Sequence, residues 1–182
     1  MAILNLIFEC FWFLLPGYLA NSAPVFARKI NFLDYPIDFG KKINGKRLFG
    51  AHKTFRGYFF GIIVSILTVY VQTLLMNNPF FMEHSILNYS NHNFLLLGFL
   101  FGFGALFGDS VKSHFKRKIG IKSGKSWFPF DQTDFVFGVL IFVAPVFIPS
   151  VVHMAILVVF SLLMHLTFVY IGYLLGIRKQ PI

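Results

Sequence analysis

The chain has 182 residues, of which 57% are hydrophobic and 13% charged, and a net charge of +9; soluble domains carry about 25% charged residues. Its 26 phenylalanines exceed what a core of this size can bury, so the composition excludes a soluble globular domain and points to a surface that lies in lipid. A single cysteine, Cys10, excludes a disulfide framework and a cysteine-based metal site.

Five apolar runs follow along the chain, at 2–20, 57–76, 94–109, 134–149 and 151–176. A spanning helix needs about 20 residues. The first, second and fifth runs meet that length, whereas the third and fourth are short and end in polar residues. Gly98, Gly102, Gly104 and Gly108 line the third run, a spacing that lets helices approach closely. The expected fold is an all-α integral membrane protein, residues 1–182 forming one membrane-embedded domain of about five transmembrane helices with two polar cytoplasmic loops.

The basic residues orient this layout. Of the 16 Lys and Arg, eight lie between Arg28 and Arg56, six between Lys112 and Lys125, and two at Arg178 and Lys179. The positive-inside rule then predicts the N-terminus outside and the C-terminus inside, with all three segments in the cytoplasm. This distribution assigns the positive charge to the membrane face and excludes nucleic acid as the partner.

The loop 21–57 is basic and punctuated by Pro24, Pro36, Gly40, Gly45, Gly50 and Gly57. It resembles phosphate-binding loops in composition but lacks the Walker spacing. Lys53 and Arg56 precede the second helix, whose N-terminal N–H groups favour an anion. For this loop alone, setting topology accounts for the charges equally well.

The second polar segment, 108–135, reads GDSVKSHFKRKIGIKSGKSWFPFDQTDF. The chain holds seven acidic residues. Three of them, Asp109, Asp131 and Asp134, flank six of its basic residues here. Asp131 and Asp134 stand three apart, on one face of a helix. Carboxylates of this kind hold Mg²⁺ together with substrate phosphates, and Lys and Arg bind the phosphates themselves. The competing reading makes one of the pair a helix cap. That reading leaves Asp109 without a role, and acids at membrane depth are costly and usually functional. An ion or solute transporter is a further alternative on the same principle, weakened because the acids gather at one surface. No histidine spacing fits zinc, and no G-x-S-x-G elbow is present.

The segments LPGYLANSAPVFARKI, YPIDFGKKINGKRLFGAHKTFRG and GFLFGFGALFGDSVKSHFKRKIGIKSGKSWFPFDQTDF resemble the CDP-archaeol synthase family across nearly the whole chain. That resemblance implies a five-helix membrane enzyme of the cytidylyltransferase type. It joins CTP to a phosphatidate-like lipid of the unsaturated archaetidic acid type, releasing pyrophosphate, with Mg²⁺ as cofactor in one or two ions. Diacyl phosphatidic acid is the alternative acceptor. In this reading Asp109, Asp131 and Asp134 hold the metal, and Lys116, Arg117 and Lys122 neutralise the triphosphate. Lys53, Arg56 and Arg47 hold CTP or the lipid phosphate. Asn21 and Asp38 contact the nucleotide or order the loop. The active site faces the cytoplasm, and Trp127 and Phe128 sit at the interface near the lipid. The oligomeric state is left open.

Overall fold

The computed structural model describes residues 2–43, 45–50, 52–121 and 125–174. Its long elements are helices. α1 spans Ala2–Phe26, α2 Phe55–Leu75, α4 Phe94–Lys118, α5 Phe130–Val143 and α6 Val151–Leu174, with a short α3 at Pro79–Glu83. The exception among the described residues is a hairpin in the first polar loop, where Lys42 pairs with Arg47 and Ile43 with Lys46. Among the described residues, three helices are long and apolar enough to cross a membrane: Ile3–Lys29, Phe55–Leu75 and Phe94–Lys118. α5 has 14 residues, about 21 Å at ~1.5 Å per residue, which is shorter than a hydrocarbon core of about 30 Å.

Three helices differ from their apolar runs. α1 continues past residue 20 to Phe26 and runs on through a 3₁₀ turn to Lys29. Asn21 and Ser22 are therefore helical, not part of the loop. The third run is not short, because its helix continues through the polar stretch after Asp109 to Lys118. No Gly or Pro interrupts those residues, and the stop comes only at Gly120, with φ +84°. There Gly120 N–H donates to Arg117 C=O at 3.1 Å and Ile121 N–H to Lys116 C=O at 3.0 Å, the paired bonds of a Schellman motif. α5 begins four residues earlier than its apolar run and ends at Val143, ahead of Pro145.

α4 is the central helix. α2 and α5 pack on two of its sides, α1 lies against α2 and α4, and α6 packs mainly on α5. The glycines of α4 divide between these neighbours. A Cβ on Gly98 would stand 2.5 Å from Ile66 Cα of α2, and one on Gly102 2.8 Å from Ser65 Cβ. Gly104 and Gly108 face α5 instead, where a Cβ would strike the backbone carbonyls of Gly138 and Asp134. Phe13, Leu14, Phe101, Val136, Val139 and Leu157 fill the core. Large apolar residues also remain on the outer surface, Ile141 of α5 being 69% exposed, as a lipid-facing helix requires.

α1 carries Pro16 and Pro24 within its length. Each proline lacks an N–H and so frees the carbonyl four residues earlier. The carbonyl freed by Pro16 belongs to Trp12, and the buried Gln72 of α2 donates to it from Nε2 at 2.7 Å. The carbonyl freed by Pro24 belongs to Ala20, and Gly61 of α2 packs against it so closely that a Cβ there would lie 2.8 Å away. α2 thus accommodates both interruptions of α1. We expect Gln72→Leu to lose about 1–3 kcal/mol by leaving a buried carbonyl unpaired, read as a lower thermal midpoint in detergent. An unchanged midpoint would mean that Trp12 finds another donor.

Candidate active site

Chain connectivity places the first polar loop, the C-terminal end of α4 and the N-terminal end of α5 at one end of the bundle. On α4, Asp109, Lys112 and Lys116 are spaced by three and four residues and form one stripe. The stripe faces α5, where Asp131 and Asp134 share a face for the same reason. The glycine contacts between the two helices bring these faces within side-chain reach.

The result is a closed set of ion pairs. Lys112 Nζ lies 3.0 Å from Asp109 Oδ1, 2.8 Å from Asp131 Oδ1 and 2.9 Å from Asp134 Oδ2. The other oxygen of each carboxylate has its own partner. Lys53, from the loop before α2, pairs with Asp109 Oδ2. Lys116 Nζ and the Trp127 N–H both donate to Asp131 Oδ2 at 2.6 Å. The Phe135 N–H donates to Asp134 Oδ1 at 2.7 Å. Three carboxylates are therefore matched by three ammonium groups, two from α4 and one from the loop before α2. The helix-cap reading of the aspartate pair does not hold: α5 starts after Pro129 with no side-chain cap.

Two cavities meet at this cluster. One of about 640 Å³ holds the polar groups Asp109, Asp131, Asp134, Asn21 and Ser22 in a wall that is otherwise largely apolar, Phe11, Leu15, Tyr18, Leu19 and Phe135 included. Asn21 Oδ1 is buried with no hydrogen-bond partner among the described residues. An apolar groove of about 420 Å³ runs between α4 and α5, lined by Phe107, Phe137, Ile141 and Trp127, with Lys112 and Asp134 in its wall. Asp134 belongs to both cavities.

The remaining candidates sit elsewhere. Asp38 is a loop organiser. It is 3% exposed and accepts from the N–H groups of Gly40, Phe49 and Gly50 at 3.0–3.1 Å and from Arg47 Nη2 at 3.0 Å. Arg47 is thereby held by Asp38, not by the acid cluster. Arg56 turns toward Asp34, at 2.8 Å, and the Ile30 carbonyl, at 2.7 Å. Arg117 lies against Gly50, whose φ of +103° and missing Cβ make room for the guanidinium. Arg117 Nε and Nη2 are buried without a partner among the described residues. Trp127 lines the groove and Phe128 is exposed. Lys122 lies outside the described residues.

Sequence reasoning missed Lys112 as a site residue. Its signal was present: it stands one turn from Asp109 and one turn from Lys116. Reading the helix as ending near Asp109 concealed the stripe. Among the described residues no cluster of His, Cys, Asp and Glu is closed as a ready-made metal site. The donor chemistry nevertheless fits a hard divalent cation: three carboxylates border a polar cavity and already draw a cation, the Lys112 ammonium, to the point between them.

Burial alone would raise the Asp38 carboxyl. The N–H groups of Gly50, Gly40 and Phe49 and the nearby Arg47 outweigh it and hold the group below its ordinary value. A depressed carboxylate stabilises the folded loop above its unfolded pKa of about 3.9 and loses that contribution as pH falls below it. Hydrogen-exchange protection of Phe49 and Gly50 should therefore fall as pH drops below about 4. In Asp38→Asn it should already be low at neutral pH, and protection equal to wild type would show that the carboxylate does not order this loop.

The comparisons with known proteins agree with this architecture. Residues 3–182 match the CDP-archaeol synthase family. The CDP-archaeol synthase of Methanococcus maripaludis is 36% identical over 183 residues, covering 98% of this chain and 98% of that protein. That of Methanocaldococcus jannaschii is 36% identical over 180 residues, covering 96% of each. That of Thermococcus gammatolerans is 35% identical over 182 residues, covering 100% of this chain and 99% of the relative. A solved structure described as an intramembrane enzyme for archaeal membrane lipids biosynthesis superposes with a TM-score of 0.71 at 27% identity, covering 88% of this chain and 92% of that one. By sequence and by fold, the chain belongs to the CDP-archaeol synthase family of membrane-embedded nucleotidyltransferases.

Proposed function

We propose that the acid–lysine cluster between α4 and α5 is where this enzyme carries out the family's reaction. The chain transfers the cytidylyl group of CTP to archaetidic acid, giving CDP-archaeol and pyrophosphate. The observation that carries the site assignment is the junction, at one set of charges, of a cavity that holds the three carboxylates and a groove whose wall is almost wholly apolar. A nucleotide fits the polar cavity, and lipid chains fit the apolar groove. Asp134 belongs to both, so a reacting phosphate from each side can meet there.

A lipid phosphate oxygen attacks the α-phosphorus of CTP. The bond from that phosphorus to the bridging oxygen of the β-phosphate breaks, and pyrophosphate leaves. No general base is required, because a phosphate monoester is largely ionised near neutral pH, its second pKa being about 6. Catalysis is then mostly positioning and charge neutralisation. Asp109, Asp131 and Asp134 would hold a divalent ion such as Mg²⁺, which would neutralise charge on the phosphates. Lys53 and Lys116 each hold a single carboxylate oxygen, so they are the ammonium groups best placed to exchange that partner for a phosphate. Arg117, with buried unpaired nitrogens, and Asn21, in the cavity wall, are proposed nucleotide contacts. Lys122 is proposed alongside them. Arg47, Arg56 and Asp38 act on the loop that carries Lys53.

The proposed topology has five crossing helices, α1, α2, α4, α5 and α6, in one domain over residues 1–182. The N-terminus lies outside and the site faces the cytoplasm. Its support is the gathering of basic residues at one end of the bundle, the side that the positive-inside rule assigns to the cytoplasm.

The test supplies detergent-purified protein with labelled CTP, Mg²⁺ and either archaetidic acid or diacyl phosphatidic acid. We expect labelled CDP-archaeol from the first. Production from the diacyl lipid alone would move the acceptor class, and no labelled lipid from either would remove the reading. Asp131→Asn and Asp109→Asn should each lower turnover roughly 10²–10³-fold, as loss of one preorganised electrostatic group does, with the monodisperse detergent profile kept. Folded variants with wild-type turnover would detach these acids from the chemistry.

A further inference from the structure

Lys112 is the residue whose placement the reaction as described leaves unused. Its ammonium touches one oxygen of each of three carboxylates at 2.8–3.0 Å. Lys53 touches only Asp109, and Lys116 only Asp131. The polar cavity is bordered by Asp109, Asp131 and Asp134 and not by Lys112, whereas Lys112 belongs to the wall of the apolar groove. It thus lines an apolar groove while its ammonium meets the acids, the way long basic side chains commonly divide themselves.

Two consequences follow from that geometry. The point between the three carboxylates is taken by a positive charge that α4 itself supplies, one helical turn from Asp109. Withdrawing that charge would carry an ammonium into a groove lined by Phe107, Phe137 and Ile141, and desolvating an unpaired ion is strongly unfavourable. Lys53, on a loop, and Lys116, in the last turn of α4, face no such barrier.

We propose that Lys112 is the resident cation of the site: its ammonium stays between the carboxylates through the reaction and takes the place a second metal ion would occupy. The acids then retain two uncompensated negative charges once Lys53 and Lys116 turn to phosphate, which matches one divalent ion bound from the polar cavity. The inference rests on the reading above that these acids bind a divalent cation, and it fixes the number of ions at one. Lys112 is on this account a positioning residue, holding the three carboxylates at the spacing that a single ion needs.

The test counts ions directly. Full-length protein in detergent is titrated with Mn²⁺ at saturating CTP and without lipid, so that no turnover occurs, and bound Mn²⁺ is read by electron paramagnetic resonance. One Mn²⁺ per chain is expected in wild type and in Lys112→Arg, and two in Lys112→Ala, where the vacated point accepts the second. Two in wild type would overturn the inference while leaving the metal role of the acids intact, and this count stands even if Lys112→Ala fails to fold. A folded Lys112→Ala that still binds one ion would also overturn it. A count of one that Asp131→Asn leaves unchanged in number and affinity would place the ion on the nucleotide alone and remove the metal reading as well.

Discussion

The close approach of α4 and α5 is the contact on which the site depends. Gly104 and Gly108 on one helix meet Gly138 on the other with backbone against backbone. Any side chain there would push the helices apart. At that separation the stripe Asp109, Lys112, Lys116 could no longer reach Asp131 and Asp134 with single ion pairs. The glycines therefore set the charge spacing of the site although none of them is charged. In a membrane protein this closeness is the main source of helix association, because lipid offers no hydrophobic drive between apolar helices.

Electrostatic balance is the second constraint. Three carboxylates packed together at the level where helices meet lipid would repel one another and lose hydration. Here each oxygen has an ion-pair partner or a backbone N–H: three lysine ammonium groups, and two backbone N–H groups at Trp127 and Phe135. Such a cluster is stable without ligand yet ready to exchange partners. A phosphate can compete for a lysine, and a divalent cation for a carboxylate, without leaving any charge bare. The same logic explains why the first polar loop is folded rather than loose. Asp38 ties Gly40, Phe49, Gly50 and Arg47 together, Thr54 caps α2 by accepting from Gly57 N–H at 3.2 Å, and Lys53 between them is delivered to Asp109.

Much of this was readable in the residues. Hydropathy marked a membrane protein, and basic residues marked one end of it. Asp109, Asp131 and Asp134 stood out because acids are scarce and these three lie among lysines. The segments quoted above carried the family resemblance that the comparisons bear out. Boundaries were less legible, because an apolar run marks where a helix meets lipid, not where it stops. α4 runs on through its polar stretch to Lys118, since no Gly or Pro breaks it there, and α1 runs through Asn21 to Phe26 despite Pro24, which α2 accommodates.

The sequence by itself determined the class of protein, its family and the residue types of the site, because composition and local order depend only on the chain. Only the tertiary structure decided which charges meet. Arg56 and Arg47 are as basic as Lys53 and as near in sequence, yet they serve Asp34 and Asp38. Lys112 looked like one of several lysines in a row and proved to be the one at the centre. Pairing across 22 residues between Lys112 and Asp134, or 56 between Lys53 and Asp109, is set by how closely two helices pack and where a loop returns, and no local pattern encodes that distance.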